Sequence, residues 1–252
     1  MRLTLVGHAT VLIELQGVRL LTDPLLRDRR MFLRARRRPW DRAWTEDLDA
    51  VLLSHFHRDH YDPRSLRLLD PATLVAGPPG TAARLRRQGF HNVAELRPGE
   101  STAVNGVTVR ATRAQHGRLP PRFRPIALGF LVSGRERAYF AGDTDLFPGL
   151  AGLASERIDV ALVPVGGWGP RLGAGHLDPR RAAEAVRLIR PRVAVPIHWG
   201  FLRPVGLGRL EPRYLTQPGE IFARLSAETA PDVEVRVLEP GESLEVAGSG
   251  RS

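Results

Sequence analysis

The 252-residue chain contains no cysteine, no lysine and no long apolar run. Without cysteine, disulfide bonds and thiolate metal ligands are excluded, whereas the redox compartment is left open. No window approaches 18 uncharged apolar residues, so we expect no membrane-spanning segment. The N-terminal stretch MRLTLVGHATVLIEL alternates like a β-strand and carries Glu14, so we interpret it as mature protein and not as a signal peptide. The cytoplasm is the default location.

All 37 basic residues are arginine, and the formal net charge is +10. An arginine-rich surface could bind a polyanion such as nucleic acid, because the planar guanidinium donates two parallel hydrogen bonds to phosphate. The absence of lysine instead indicates a compositional preference, with the arginines forming a solvated basic surface. We favour this second explanation, which makes nucleic acid the less favoured partner.

Apolar runs bounded by glycine, proline and aspartate dominate the chain, and helical periodicity appears between them. The runs predict strands at 2–6, 10–15, 18–22, 50–54, 73–76, 107–112, 126–132, 137–141, 159–163, 193–197 and 233–238. The periodicity predicts helices at 63–69, 80–88, 179–189 and 217–227. With no repeat and no linker, we predict one α/β domain over residues 1–252 that contains a mixed sheet.

The stretch LLSHFHRDHYD, residues 52–62, places three of the eight histidines within six positions at the end of a predicted strand. Alternate side chains of a strand point the same way, so His55 and His57 can bind one metal ion. Arg58 then turns the chain and brings Asp59 and His60 to the start of the next helix. Because burying so many polar groups without partners would cost several kcal/mol, the cluster predicts two metal ions about 3.5–4 Å apart.

Further candidate ligands follow three other predicted strands. VRATRAQHG ends near His116, AYFAGDTDLF contains Asp143, and VAVPIHWGF contains His198. Functional groups collect where strands end at one edge of a sheet. With the first cluster, these residues supply five histidines and two aspartates, which is enough for two metal sites that share one carboxylate.

The ordered series formed by His55-x-His57-x-Asp59-His60, His116, GDTD at 142–145 and IHWG at 197–200 resembles the metallo-β-lactamase superfamily. The resemblance implies a four-layer αββα sandwich of two mixed β-sheets. It also implies that His55, His57 and His116 bind one metal ion and that Asp59, His60 and His198 bind the other. Asp143 would bridge the two ions. Zn²⁺ is the usual occupant, although the nitrogen and oxygen ligands also suit Mn²⁺ or Fe²⁺.

Within the superfamily, VGHATVLIEL, LLTDPLL and GHLDPRRAAEAVRLIRPRVAVPIHWGF resemble the branch that contains L-ascorbate-6-phosphate lactonase and N-acyl phosphatidylethanolamine phospholipase D. In that branch the histidine matching His176 faces the metals and steadies the developing negative charge of the substrate. The alternative for His176 is a packing role near the helix start. The chain lacks the cysteine ligand of true β-lactamases, and position 57 is not the glutamate of flavodiiron oxidases, so the resemblance favours another hydrolase.

The site predicts hydrolysis by a metal-bridged hydroxide that attacks a carbonyl carbon or a phosphorus atom. Asp59 could also transfer a proton, and His176 would donate to the oxyanion. The weaker candidates His8 and Asp23 would either support the ligands or serve the backbone, and for Asp23 we favour a role in the TDP corner. His91 is expected to be exposed. Trp168 and Trp199 would either line the pocket or belong to the core.

Two arginine-rich segments bear on the substrate. RDRRMFLRARRRPW, residues 27–40, mixes apolar side chains with arginine, as a peripheral membrane contact or a solvated loop would. HGRLPPRFRP, residues 116–125, would form a rim that suits an anionic substrate. We therefore predict a phosphodiesterase or lactonase acting on a small-molecule or lipid substrate. A nuclease of RNA or DNA and a metal-holding protein without catalysis are the alternatives, and the oligomeric state is open.

Overall fold

Two seven-stranded sheets form the centre of the protein in a computed structural model that describes residues 1–30, 32–36, 41–117, 126–207 and 210–248. In spatial order, the first sheet consists of β17 (Ser243–Glu245), β1 (Arg2–Gly7), β2 (Thr10–Leu15), β3 (Val18–Thr22), β6 (Ala50–Leu52), β7 (Leu74–Gly77) and β8 (Val93–Glu95). The second consists of β16 (Glu234–Val235), β14 (Val193–Ile197), β13 (Val160–Pro164), β12 (Arg137–Phe140), β11 (Leu128–Ser133), β10 (Val107–Arg113) and β9 (Ser101–Val104).

Each large sheet is antiparallel on one side and parallel on the other. Strands β3, β6, β7 and β8 run parallel to one another in the first sheet. In the second sheet the same is true of β12, β13, β14 and β16. The prediction of mixed sheets is therefore confirmed, and in each sheet the carboxyl ends of the parallel strands open at one edge.

Helices cover the outer faces of both sheets. They are α1 (Pro63–Leu66), α2 (Thr81–Leu85), α3 (Pro179–Ile189), α4 (Arg213–Thr216) and α5 (Pro218–Thr229), with short 3₁₀ helices at Arg42–Trp44, Arg86–Gln88, Pro148–Glu156 and Val205–Leu207. The start of α3 is as the sequence predicts, because Asp178 accepts a hydrogen bond from the Arg181 N–H and Pro179 occupies the first turn. No helix in the described part of the chain is long and apolar enough to cross a bilayer.

Alternation along the central strands builds four layers. Leu52 of β6 and Leu162 of β13 point into the core between the sheets, whereas their neighbours Val51 and Val163 point outward against the helical layers. Both neighbours are buried, so these strands have no solvent-facing side and appear in the sequence as continuous apolar runs. The expected αββα sandwich is confirmed.

A third, small sheet lies outside this sandwich. It consists of β15 (Leu202–Pro204), β5 (Leu33–Ala35) and β4 (Arg29–Arg30), all antiparallel. Its inner face packs in a separate cluster with Leu25 and Phe201. The sequence pattern does not predict this sheet, because its strands are only two or three residues long and depend on pairing between distant segments.

We predict that Gly219→Ala destabilises the fold. A β-carbon at Gly219, on the first turn of α5, would lie 2.3 Å from Trp199 Cζ2, and the indole is held by its own hydrogen bond to the Pro196 carbonyl. Such overpacking costs about 1–3 kcal/mol. Thermal unfolding should show a Tm lowered by roughly 2–4 °C for each kcal/mol. The control is Gly152→Ala, whose β-carbon would meet nothing within 4 Å, and an equal loss in both variants would contradict the prediction.

Candidate metal centre

The loop that follows β6 carries the first four candidate ligands. Strand β6 ends at Leu52, two residues before the predicted end at position 54, so His55 and His57 lie in the loop beyond it. The two rings nevertheless lie together, with centroids 4.6 Å apart. The His57 carbonyl then accepts hydrogen bonds from the N–H groups of His60 and Tyr61, and this turn brings Asp59 and His60 back toward the same centre.

The remaining candidates arrive from the second sheet. His116 follows β10, Asp143 follows β12, and His198 follows β14, so all three lie just past strand ends. His176 lies in the loop that precedes α3. The structure thus brings together all eight predicted site residues: His55, His57, Asp59, His60, His116, Asp143, His176 and His198.

His55, His57 and His116 form one group that could hold a metal ion, with one ligand atom from each lying within 4.8 Å of the others. His116 donates its Nδ1 proton to the Gly175 carbonyl at 2.7 Å, which leaves a lone pair on Nε2. That Nε2 lies 2.8 Å from His57 Nδ1. Gly175 permits this arrangement because a β-carbon there would lie 2.3 Å from the Gly117 nitrogen.

A second group consists of Asp59, His60, His198 and His8. His198 donates from Nδ1 to the Gly166 carbonyl at 2.9 Å, and His60 donates from Nδ1 to Asp23 Oδ2 at 2.7 Å. Both Nε2 atoms therefore carry lone pairs when the rings are neutral, yet they lie only 3.0 Å apart. Two lone pairs that face each other need a cation between them or a proton on one ring.

Asp143 lies between the two groups. Its Oδ2 atom is 3.2 Å from His60 Nε2, 3.3 Å from His176 Nε2 and 3.9 Å from His55 Nε2. Its Oδ1 atom is 3.3 Å from His198 Nε2. One carboxylate therefore faces His55 of the first group and both His60 and His198 of the second, which is the position that a shared ligand requires.

The chemistry of the residues fits divalent metal ions. His55 Nε2 and Asp143 Oδ1 are buried and have no hydrogen-bond partner in the described part of the chain. Unpartnered buried polar atoms are costly, so their convergence needs a compensating cation. A donor set of imidazole nitrogen and carboxylate oxygen suits zinc, manganese or iron.

The charges of the site support the same conclusion. Burial lowers the pKa of His116 to about 4 and that of His55 well below its usual value, so both imidazoles are neutral, as metal ligands must be. Burial opposes ionisation of Asp143, but His198 and His60 hold its pKa well below the ordinary range. Burial lowers the pKa of His60, but Asp143, Asp23 and Asp59 together raise that pKa well above its usual value. A proton on His60 thus balances carboxylates that a metal ion could balance instead.

Asp23 orients one imidazole of each group. Its carboxylate is fully buried and accepts hydrogen bonds from the Ser54 N–H at 2.7 Å, the Ser54 hydroxyl at 2.5 Å and His60 Nδ1 at 2.7 Å. The Ser54 hydroxyl also lies 2.9 Å from His55 Nδ1. The backbone role that we favoured from sequence also exists, since φ of Asp23 is +32°. Sequence reasoning missed Ser54, although its position directly before the histidine cluster was the available signal.

His8 lies against two other members of the second group, Asp59 and His198. Its Nε2 atom lies 3.2 Å from Asp59 Oδ2, its ring lies 4.0 Å from that of His198, and its carbonyl accepts the His198 N–H. Burial and His198 lower its pKa to about 4.

The remaining sequence candidates have other surroundings. His91 is exposed, as expected, and Trp199 packs against the core of the second sheet. Trp168 is half-buried and contacts Phe32 edge-on. Residues 118–125 of the predicted anionic rim lie outside the described residues.

Comparison with known proteins agrees with this geometry. Residues 18–199 match the family profile described as "Beta-lactamase superfamily domain". A UPF0173 metal-dependent hydrolase of Methanopyrus kandleri is 35% identical over 97% of this chain and 100% of its own length. An N-acyl-phosphatidylethanolamine-hydrolyzing phospholipase D 1 of Caenorhabditis elegans is 34% identical over 83% of this chain and 67% of its own.

Solved structures share the fold. The isothiocyanate hydrolase from Delia radicum gut bacteria superposes with a TM-score of 0.78 over 98% of this chain and 100% of its own, at 21% identity. The metallo hydrolase Igni18 of Ignicoccus hospitalis has a TM-score of 0.71 over 96% of this chain and 97% of its own, at 22% identity. Together with the family match and the identity to curated hydrolases, the clustered ligands lead to one conclusion: the chain belongs to the β-lactamase superfamily and is a metal-dependent hydrolase of the metallo-β-lactamase type.

Proposed function

We propose that the protein is a dinuclear hydrolase that cleaves a phosphodiester in a small-molecule or lipid substrate. The observation that carries this proposal is the position of Asp143, whose two oxygens face both groups of histidines. His55, His57 and His116 would hold one ion, and Asp59, His60 and His198 the other. Asp143 would be shared, and zinc is the ion we expect.

Two divalent ions held there would lower the pKa of water far enough to supply hydroxide at neutral pH. Two side chains of the protein, Asp59 and His176, would assist the reaction. Asp59 keeps its carboxylate partly exposed, with 16% of the side chain open to solvent, so it can take a proton from the attacking water and return it to the leaving oxygen. The side chain of His176 is 22% exposed, and its Nε2 atom faces the centre, where it can donate to the negative charge that develops on the substrate.

Phosphodiester chemistry is favoured over lactone or ester chemistry by one comparison. The relative in Caenorhabditis elegans is named for hydrolysis of N-acyl-phosphatidylethanolamine as a phospholipase D, an enzyme class that cleaves a phosphodiester. The arginine excess also suits an anionic substrate. The experiment must distinguish phosphodiester cleavage from lactone opening and from nucleic-acid cleavage.

We predict that Asp23→Asn weakens metal binding without unfolding the protein. The amide keeps the size of the carboxylate but cannot accept from His60 Nδ1 and both Ser54 donors as the carboxylate does. Loss of such supporting hydrogen bonds typically lowers metal affinity by about 10–100-fold. Metal titration calorimetry would measure the change. The matched control is Asp232→Asn on the surface, and equal affinities of the two variants would refute the orienting role.

The proposed activity predicts turnover of bis(p-nitrophenyl) phosphate that is abolished by a chelator and restored by zinc. The same assay should show no opening of an acyl homoserine lactone and no cleavage of a short single-stranded RNA. Asp143→Asn should lower kcat/KM by at least about 100-fold because the shared carboxylate is lost, whereas the control Asp232→Asn should keep full activity.

Each other outcome rejects part of the proposal. Lactone opening alone would replace the phosphodiester by an ester substrate, and RNA cleavage alone would indicate a nuclease. Full activity in folded Asp143→Asn would reject the dinuclear centre itself. Circular dichroism of each variant establishes whether it is folded.

A further inference from the structure

The third sheet borders the metal centre on one side. Trp168, whose ring contacts Phe32 edge-on with centroids 5.4 Å apart, lies two residues after Gly166, the acceptor of the His198 hydrogen bond. Val205, directly after β15, donates its N–H to the Phe32 carbonyl at 2.8 Å. The tip of the β4–β5 hairpin is thereby tied to the loop that supports a candidate ligand.

The outer face of this sheet carries three arginines side by side. In the strand register, Arg29 of β4 is opposite Arg34 of β5, and Arg34 is opposite Arg203 of β15. Adjacent strands are about 4.7–4.9 Å apart, so like charges at these positions repel one another and destabilise the sheet. We call this set the arginine row.

In the described part of the chain, no acidic side chain pairs with the arginine row. Among the residues that the structure describes, none hydrogen-bonds or ion-pairs with the side chains of Arg29, Arg34 or Arg203. Arg36, next to the same sheet, differs: it ion-pairs with Glu211 and donates to the Gly200 carbonyl. Three repelling and uncompensated charges on one face indicate that an external anion binds there.

Apolar side chains flank the arginine row. In the described ranges, four large apolar residues are exposed, and three of them lie next to this sheet: Phe32 (51%) between β4 and β5, Val205 (43%) directly after β15, and Leu210 (71%) before Glu211, which pairs with Arg36. The fourth, Leu68, lies just after α1. Arginines beside exposed aromatic and aliphatic side chains form the composition that enters a lipid headgroup layer.

We propose that the arginine row and its apolar flank bind the surface of a membrane that contains anionic phospholipid. The guanidinium groups contact the headgroup phosphates, and Phe32, Val205 and Leu210 enter the boundary with the acyl chains. A nucleic-acid partner would satisfy the arginines, but it would leave the aliphatic side chains of Val205 and Leu210 in water. The docking surface includes part of the predicted segment 27–40; Met31 and residues 37–40 of that segment lie outside the described residues. The inference does not depend on the proposed reaction.

Vesicle co-sedimentation of the metal-loaded protein tests this proposal. The wild-type protein should bind vesicles of phosphatidylcholine mixed with phosphatidylglycerol, bind pure phosphatidylcholine vesicles much less, and dissociate at high salt. Arg29→Gln/Arg34→Gln/Arg203→Gln should weaken binding by roughly 100-fold, since each arginine near an anionic surface contributes about a factor of five. Phe32→Ser should weaken it by about tenfold while the charge is unchanged.

The control removes three other exposed arginines, with Arg86→Gln/Arg87→Gln/Arg224→Gln, so that both variants have the same net charge. Equal weakening in both variants would reduce the effect to net charge and overturn the proposal. The proposal would also be overturned if the wild-type protein did not bind anionic vesicles, or if it bound duplex DNA through the arginine row and did not bind vesicles. Removing the row relieves repulsion, so we expect that variant to fold; the single substitution Arg34→Gln gives a second measurement on the same face.

Discussion

The rest of the structure depends on one electrostatic constraint at the edge of the sandwich. Six imidazoles and two carboxylates converge there, most of them buried, and unprotonated nitrogens and ionised oxygens point at one another. His60 Nε2 and His198 Nε2 at 3.0 Å illustrate the constraint, because neither neutral ring has a proton to offer the other. Such an arrangement is stable only when positive charge fills the centre, either as protons or as metal ions.

The fold positions these side chains on loops that follow the ends of strands. The loops after β6, β12 and β14 all leave parallel strands at the same edge, and His116 follows β10 in the antiparallel part of the second sheet. Backbone carbonyls then fix the rings: Gly175 holds His116 and Gly166 holds His198, so that each presents Nε2 to the centre. Asp23 does the same for His60 and, through Ser54, for His55. A buried network of this kind limits rotation of the ligands before any ion binds.

Much of this could be predicted from sequence, for physical reasons. Central strands such as β13 and β14 are buried on both faces and leave continuous apolar runs, and α3 has its cap and its proline in the expected places. The ligands were identifiable because histidines clustered beyond apolar runs have no packing explanation. The third sheet, β8, β9 and β17 were missed, since strands of two to four residues carry too little alternation and exist through pairing with distant segments. Ser54 and Asp23 could not be linked from sequence, because their contact joins residues 31 positions apart.

Metal stoichiometry tests the proposal that two cations occupy this centre. Protein purified without added metal, saturated with zinc and passed through a desalting column should retain about two equivalents per chain by plasma mass spectrometry, and folded Asp143→Asn should retain fewer. Retention of a single equivalent by the wild-type protein, unchanged in Asp143→Asn, would contradict a dinuclear centre. In that case one group of histidines would bind metal alone, and the shared carboxylate would have another role.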